Sequence, residues 1–413
     1  MDAVRECCAG LDVHQETVVA CVIRGSLEEK PRPQIRTFGT TTKELLALQD
    51  WLSEQACKEV VMESTGVLWK PIWNILESTC ELVLANPRKV KNMPGRKTDC
   101  KDAQWLAQLH RCGLIEGSMV PPQHIRDLRD LTRYRRKLVQ AMTSEKNRIH
   151  KMLQDANIKL TTYVSDVFGV SGRALLEKLM QGEVLDEQEV RSLVKSKLKR
   201  KVPQLLEALN GKLRLHHREM MTEHWEHIQY LQRCVERLEG KINAAIEGYK
   251  EEIGWLDSIP GVEVQTATVI FAEIGPEVAK MFPSDAHFAS WAGICPGNDE
   301  SAGKKKSAKC MKGNKHLKGA LTQAAWANDK SNNRIGRHFR QIRKRRGDKK
   351  AIVAAGHLIL RIIYAMMRDR TEYKEKDVQI GGSTSQDKVI EFYMKRIKSM
   401  GFDIHIVPIE TNT

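Results

Sequence analysis

The chain has 413 residues, 41% of them hydrophobic, and carries 67 Lys and Arg against 52 Asp and Glu, a formal charge of +15. That length accommodates two or three domains with their own cores, and that charge points to a polyanionic partner. No apolar run approaches the length of a membrane span and the N-terminus lacks a signal-peptide core, so the expectation is a soluble, cytoplasmic protein with no membrane partner.

Residues 7 to about 115 alternate short β-rich runs with helical patterns, as an α/β domain does. The predicted strands are 7–13, 17–24, 35–38, 59–63 and 81–85, and the predicted helices 42–56, 67–78 and 99–111. The first two strands, separated by His14-Gln15-Glu16, read as a hairpin. Val120-Pro121-Pro122 then marks a boundary, because two prolines cannot continue a helix.

From about 124 to 160, and again from about 173 to 252, the sequence is charged and helical, with Leu128, Leu131, Leu138, Met142, Ile149 and Leu153 at spacings near three or four. The pattern predicts an antiparallel coiled-coil arm, with an ordinary helical bundle as an equal alternative. The third region, about 253 to 370, opens on Ser258-Ile259-Pro260-Gly261-Val262 between two helical stretches. It runs through Trp291-Ala292-Gly293-Ile294-Cys295-Pro296-Gly297 into a Gly- and Lys-rich loop. Asn314 is placed to cap a helix whose apolar face is Leu317, Ala320, Leu321, Ala324 and Ala325, and a last apolar helix is expected over about 351–367. The remainder carries a Gly381-Gly382-Ser383-Thr384-Ser385 spacer without an assigned role. The resulting division is 1–120, 121–252, 253–370 and a tail, 371–413.

Charge is concentrated. Residues 303–350 hold 17 Lys and Arg against only Asp329 and Asp348, leaving 50 basic and 50 acidic residues elsewhere, so the whole excess lies in one segment. The ten cysteines are scattered, with no C-x-x-C pair and no His partners at zinc-finger spacing, and read as reduced thiols.

Four carboxylates carry the chemical reading. Asp12 interrupts the apolar run Cys7-Cys8-Ala9-Gly10-Leu11-Asp12-Val13, and Glu63 closes Val60-Val61-Met62-Glu63. An acid in a sheet core costs several kcal/mol unless something cationic meets it. Asp99 and Asp102, three apart at the start of a helical pattern, are expected on one side of one turn. Oxygen ligands from two strands and a helix suit Mg²⁺ and phosphoryl transfer; any one of these acids alone reads equally as a structural acid capping a turn. Arg88, Lys89, Lys91, Arg96 and Lys97 flank the acidic pair and are candidates for holding phosphates.

Two further segments are candidates. Pro260-Gly261 resembles a helix-hairpin-helix turn whose backbone N–H groups meet a DNA phosphate, although Glu263 stands where that motif usually has a second glycine, and a plain interhelical turn fits as well. In Pro296-Gly297-Asn298-Asp299-Glu300-Ser301-Ala302-Gly303-Lys304-Lys305-Lys306, a serine hydroxyl among glycines and cations is suited to attack a phosphodiester. Composition alone leaves Ser301 an ordinary loop serine.

Together these residues resemble the DEDD transposases of the insertion sequence 110 family, and most closely its insertion sequence 1111 subgroup. The matching stretches are Gly10-Leu11-Asp12-Val13-His14, Met62-Glu63-Ser64-Thr65-Gly66, and Asn86-Pro87 through Lys97-Thr98-Asp99-Cys100-Lys101-Asp102-Ala103. Further on they are Ile259-Pro260-Gly261-Val262, Thr266-Ala267, Ala272-Glu273-Ile274-Gly275, the Ser301 loop, and Lys312-Gly313-Asn314 to Ala325. Ala302 stands where the wider family often has a glycine. The resemblance implies a ribonuclease H-like (RuvC-like) N-terminal domain, a helical coiled-coil connector and a mainly α C-terminal transposase domain. It implies that Asp12, Glu63, Asp99 and Asp102 are the metal-binding tetrad for two Mg²⁺ ions, and that Ser301 becomes linked to DNA. It further implies that Gly261, Lys304, Lys305, Lys306, Lys309, Lys312 and Lys315 join the basic residues above in binding nucleic acid. The partners implied are double-stranded DNA, an element-encoded bridge RNA that guides target choice, and further copies of the chain, as dimers pairing into tetramers with composite sites, in a bacterial or archaeal cytoplasm.

Two competing readings fit the same residues. A Holliday-junction nuclease would use water as nucleophile and make Ser301 dispensable; a non-catalytic nucleic-acid scaffold would tolerate Asp12→Asn.

Overall fold

Apolar alternation builds a hairpin from Cys7–Val13 (β1) and Thr17–Arg24 (β2), and Pro33–Gly39 (β3) adds to its outer edge. The computed structural model describes residues 2–28, 32–63, 66–91, 102–296, 299–301, 304–307, 309–310, 312–375, 390, 393–395 and 397–403. The chain divides into two units, Met1–Arg126 and Asp127–Thr413.

In the first unit the chain continues through α1 (Thr42–Glu54), β4 (Glu59–Glu63), α2 (Trp69–Leu76), β5 (Glu81–Ala85), α3 (Pro87–Lys91), α4 (Asp102–Arg111) and β6 (Gly117–Ser118). Thr41 accepts from the Glu44 backbone N–H and starts α1 as an N-cap. The six strands lie in the order β3-β2-β1-β4-β5-β6. β2 is antiparallel to both β1 and β3, β4 is parallel to both β1 and β5, and β6 closes the edge antiparallel to β5.

Successive strand residues point to opposite faces. One face, with Ala9, Leu11, Val18, Ala20, Val60 and Met62, packs on Leu45, Leu48 and Leu52 of α1 and Ile72, Trp73 and Leu76 of α2. The other receives α4: Ala103 and Ala107 meet Cys21 and Ile23, and Leu106 and Leu109 meet Val61 and Ala85. Every expected strand is present; α3 and β6, too short to show a period, were not expected.

In the second unit, α5 (Gln123–Asp155), which begins in the first, runs antiparallel to α10 (Leu215–Ala245). Arg135 pairs with Glu239, Leu138 packs with Leu231 and Val235, Glu145 meets His224, and Asp155 meets His217. The stretch expected to be helical from 173 is not one arm. It breaks into α7 (Val170–Gln181), α8 (Glu187–Leu193) and α9 (Val202–Leu209), which with α6 (Leu160–Tyr163) share a core with the ends of α5 and α10. The breaks have local causes: Gly182 takes a left-handed φ of +79°, Asp186 and Glu189 form a capping box, and Pro203 starts α9.

The remaining elements are α11 (Lys250–Asp257), α12 (Val264–Ile274), α13 (Val278–Met281), α14 (Asp285–Ala292), β7 (Asp299–Ser301), β8 (Lys304–Ser307), α15 (Lys315–Ala327), α16 (Arg334–Arg346) and α17 (Asp348–Asp369). Asn314 caps α15, which buries the five expected residues. α17 corrects the expectation that nothing approaches a membrane span, since it is long and apolar enough by composition. Its buried residues, Ala351, Ala355, Ile359, Leu360, Ile363 and Met367, recur at helical spacing, as in the core helix of a globular unit.

Candidate active site

Gly10 places the acidic residues. A Cβ at Gly10 would overlap the Ala103 carbonyl oxygen and the Ala107 nitrogen, so only glycine lets the α4 backbone rest directly on β1. Cys8, two residues earlier on the same face, lies with its sulfur 3.4 Å from the Ala107 carbonyl oxygen. From Cys8 to Gly10 the contacts move toward the N-terminus of α4, so Asp12, the next residue on that face, points to the end where Asp102 starts the helix.

The parallel register pairs Gly10 with Val61 and Leu11 with Met62. One step further places Glu63 beside Asp12, on the α4 side by the same alternation. Asp12, Glu63 and Asp102 thus share one face, at the C-terminal ends of two strands and the N-terminus of a helix. Asp99, expected beside Asp102, lies outside the described residues.

The burial expected of these acids is corrected. The Asp12 side chain keeps 24% of its exposure, Glu63 is half-buried and Asp102 is exposed. Their common face comes from topology rather than from a charge forced into the core. Among the described residues no group of three His, Cys, Asp or Glu side chains is gathered closely enough to hold a metal ion. The available donors are carboxylate oxygens, the set that hard divalent cations take. His14, which the sequence suggests only as part of a turn, lies with Nε2 3.1 Å from Asp12 Oδ2.

Of the basic residues flanking the acids, Lys91 is exposed at the end of α3. Arg88 and Lys89 also lie on α3, with side chains outside the described set, as are Arg96 and Lys97 altogether.

In the second unit, the expected Gly- and Lys-rich loop is a two-stranded hairpin. Ser301 pairs with Lys304 and Glu300 with Lys305, with an irregularity between Asp299 and Glu300. Ser301 therefore sits at the hairpin tip, opposite a lysine; its side chain lies outside the described set, as do those of Lys304, Lys305 and Lys306. The hairpin base is closed by a bridge between Pro296 and Cys310. Lys309, Lys312 and Lys315 are exposed close to it. Gly261 has φ +80° in the turn between α11 and α12, and a Cβ there would press on Asn328 Nδ2 and the Ala324 carbonyl oxygen. Asn328 is fully buried and donates to the Pro260 carbonyl at 2.6 Å. Packing therefore already accounts for this glycine.

Sequence comparison places two segments of the chain in transposase families. Residues 9–158 match a family model described as a transposase, of the DEDD type of IS110, and residues 254–340 match one described as transposase IS116/IS110/IS902 family. A protein of Streptomyces coelicolor, "Insertion element IS110 uncharacterized 43.6 kDa protein", is 30% identical over 141 residues. That match spans 34% of each chain, so this chain covers about a third of the relative's length.

Proposed function

Because the chain belongs to the IS110 family of transposases, with two matched segments that together span more than half of it, we propose that it is a DNA transposase acting by metal-dependent phosphoryl transfer. The observation that carries this reading is the common face shared by Asp12, Glu63 and Asp102. The sheet order β3-β2-β1-β4-β5, with its antiparallel first half and parallel second half, supports a ribonuclease H-like, RuvC-like fold for residues 1–120. The antiparallel pairing of α5 and α10 supports a coiled-coil connector within 121–252, and 253–370 is then the transposase domain.

Asp12, Glu63, Asp102 and, by the family resemblance, Asp99 would hold two Mg²⁺ ions, which when bound supply Lewis-acid stabilisation of the phosphodiester. The chain's own part is nucleophilic. Ser301 attacks phosphorus through Oγ and gives up its proton, the bond to one deoxyribose oxygen breaks and that oxygen leaves protonated as the free hydroxyl of the cut strand, and the phosphoserine ester keeps the bond energy for rejoining. A position at a hairpin tip suits this role, since the tip can enter a groove that a flat surface cannot. Lys304 opposite Ser301, with Lys305, Lys306, Lys309, Lys312 and Lys315, would neutralise the surrounding phosphates, as would Arg88, Lys89, Lys91, Arg96 and Lys97, while backbone N–H groups of the Gly261 turn would donate to a phosphate. Membership of the insertion sequence 1111 subgroup, guidance by an element-encoded bridge RNA, and assembly of dimers into tetramers complete the proposal.

The test is a denaturing-gel assay for protein covalently joined to labelled element-junction DNA, with Mg²⁺ and co-expressed RNA. The unmodified protein is expected to give an adduct that Ser301→Ala and Asp12→Asn both lose. Cleavage without adduct, unchanged in Ser301→Ala, would replace the proposal with a water-using nuclease. Indifference of nucleic-acid function to Asp12→Asn would reduce the protein to a scaffold.

A further inference from the structure

Glu273, the penultimate residue of α12, is fully buried in the second unit, where an ionised carboxylate persists only if its partners replace water. Arg133 of α5 grips it with two bonds of 2.8 Å each, Nε to Oε1 and Nη2 to Oε2. Asn314 donates from Nδ2 to Oε2 at 2.6 Å. Arg129, one turn earlier on α5, approaches the carboxylate at 3.4 Å and donates to the Glu273 and Ala272 carbonyls at 2.7 and 3.2 Å. Burial pushes the carboxyl up, but Arg133, Asn314 and Arg129 outweigh it and hold it below the usual range.

Asn314 has a second duty. Its Oδ1 accepts from the backbone N–H groups of His316 and Leu317, fixing the point where the chain leaving the hairpin enters α15. Gly313, the preceding residue, rests so closely on the Ala292–Gly293 backbone that a Cβ would overlap it. Lys318 donates to the Gly293 carbonyl at 3.2 Å, tying the same spot from the other side. Gly293 is the left-handed cap from which the chain departs toward the hairpin. The two ends of the segment carrying Ser301 are thus fastened to each other at Gly293 and Gly313, and through Asn314 to a carboxylate held by the long helix α5.

We propose that Glu273 and Asn314 are positioning residues for Ser301, fixing the base of its hairpin against α5 so that the tip meets the scissile phosphate in a reactive pose. The inference rests on the role given to Ser301 above. Rates of attack depend on placement at the scale of about 1 Å, with losses on the order of 100-fold for a misplacement of that size.

The test uses the full-length protein with Mg²⁺, co-expressed RNA and labelled element-junction DNA. Asn314→Ser keeps a capping hydroxyl for α15 but removes the donor to Glu273. Its adduct-formation rate at saturating DNA should fall by about tenfold or more, while DNA affinity stays within about twofold. Trypsin should also cut faster after Lys304, Lys305 or Lys306. Glu273→Gln should be slower still, and combining it with Asn314→Asp, which returns a carboxylate beside Arg133, should recover part of the rate. An unchanged rate in Asn314→Ser, or a rate that falls only in step with the folded fraction, overturns the inference while leaving Ser301 in place. If Ser301→Ala itself still forms adduct, the role of Ser301 fails and the inference falls with it.

Discussion

His110 shows how one side chain ties the first unit to pH. It is 2% exposed on the last turn of α4, its Nε2 stands 4.0 Å from Glu59 without a hydrogen bond, and its carbonyl accepts from Arg5 at 2.7 Å. Burial lowers its pKa from 6.5 to about 4, Arg5 adds to that, and Glu59 opposes it only partly. The unfolded chain therefore binds a proton that the folded chain refuses between these values, so stability is complete above about pH 6.5 and is lost as pH falls toward 4. A shift of this size corresponds to about 3 kcal/mol at its full extent. Urea unfolding of the first unit should show that decline, and His110→Leu should flatten it. A slope unchanged in His110→Leu would move its origin to other groups.

The packing of α4 on β1 is an element-scale device, and Gly10 is where it can be tested. Gly10→Ala forces the helix away from the strand, since the clash is with the Ala103 and Ala107 backbone and not with a flexible side chain. The expected cost is about 1–3 kcal/mol for overpacking, read as a lower Tm. DNA cleavage should fall much further, because Asp102 moves off the face that Asp12 and Glu63 occupy. Elements of this kind were legible in the sequence wherever one period dominated. The strands from Cys7 to Ala85 stand out as short apolar runs, and the Asn314 cap precedes an unbroken apolar stripe. Beyond the first hairpin, what pairs with what in the sheet was not legible, because the β1–β4 register and the seat of α4 depend on contacts between residues far apart in the chain, such as Gly10 with Val61 and with Ala103. α16 is hidden for a different reason: only Ile335, Gly336 and Phe339 are buried, and its run of arginines masks a two-turn apolar stripe. The arginines of α5 hide a contact instead. Arg129 and Arg133 lie in a stretch whose sequence shows only that it is charged and helical, yet they hold the buried Glu273, which no local pattern announces.

Across the whole molecule the charge excess confined to residues 303–350 has two parts that the structure separates. Some of its cations hold the fold together. Arg340 donates to the carbonyls of Asp329 and Ser331 at 2.6 and 2.8 Å, and Arg343 pairs with Asp329 at 2.7 Å while lying over the Phe339 ring. Others face solvent: Lys344, Arg345, Arg346, Lys349 and Lys350 are exposed around the junction of α16 and α17, where Gly347 turns the chain at φ +78°. The second group, like the exposed Lys309, Lys312 and Lys315 beside the Ser301 hairpin, is available to exchange counterions for phosphates. Neutralising Lys344, Arg345 and Arg346 together to Gln should weaken binding to duplex DNA of unrelated sequence. It should also make the slope of log K against log salt shallower by up to about 0.9 for each phosphate that the variant no longer neutralises. Arg340→Gln should instead lower Tm with little change in that slope, since its guanidinium is already engaged by backbone carbonyls. Fluorescence anisotropy across a salt series distinguishes the two. An unchanged slope in the triple variant would place the phosphate-binding cations elsewhere, with the Ser301 hairpin lysines next in line.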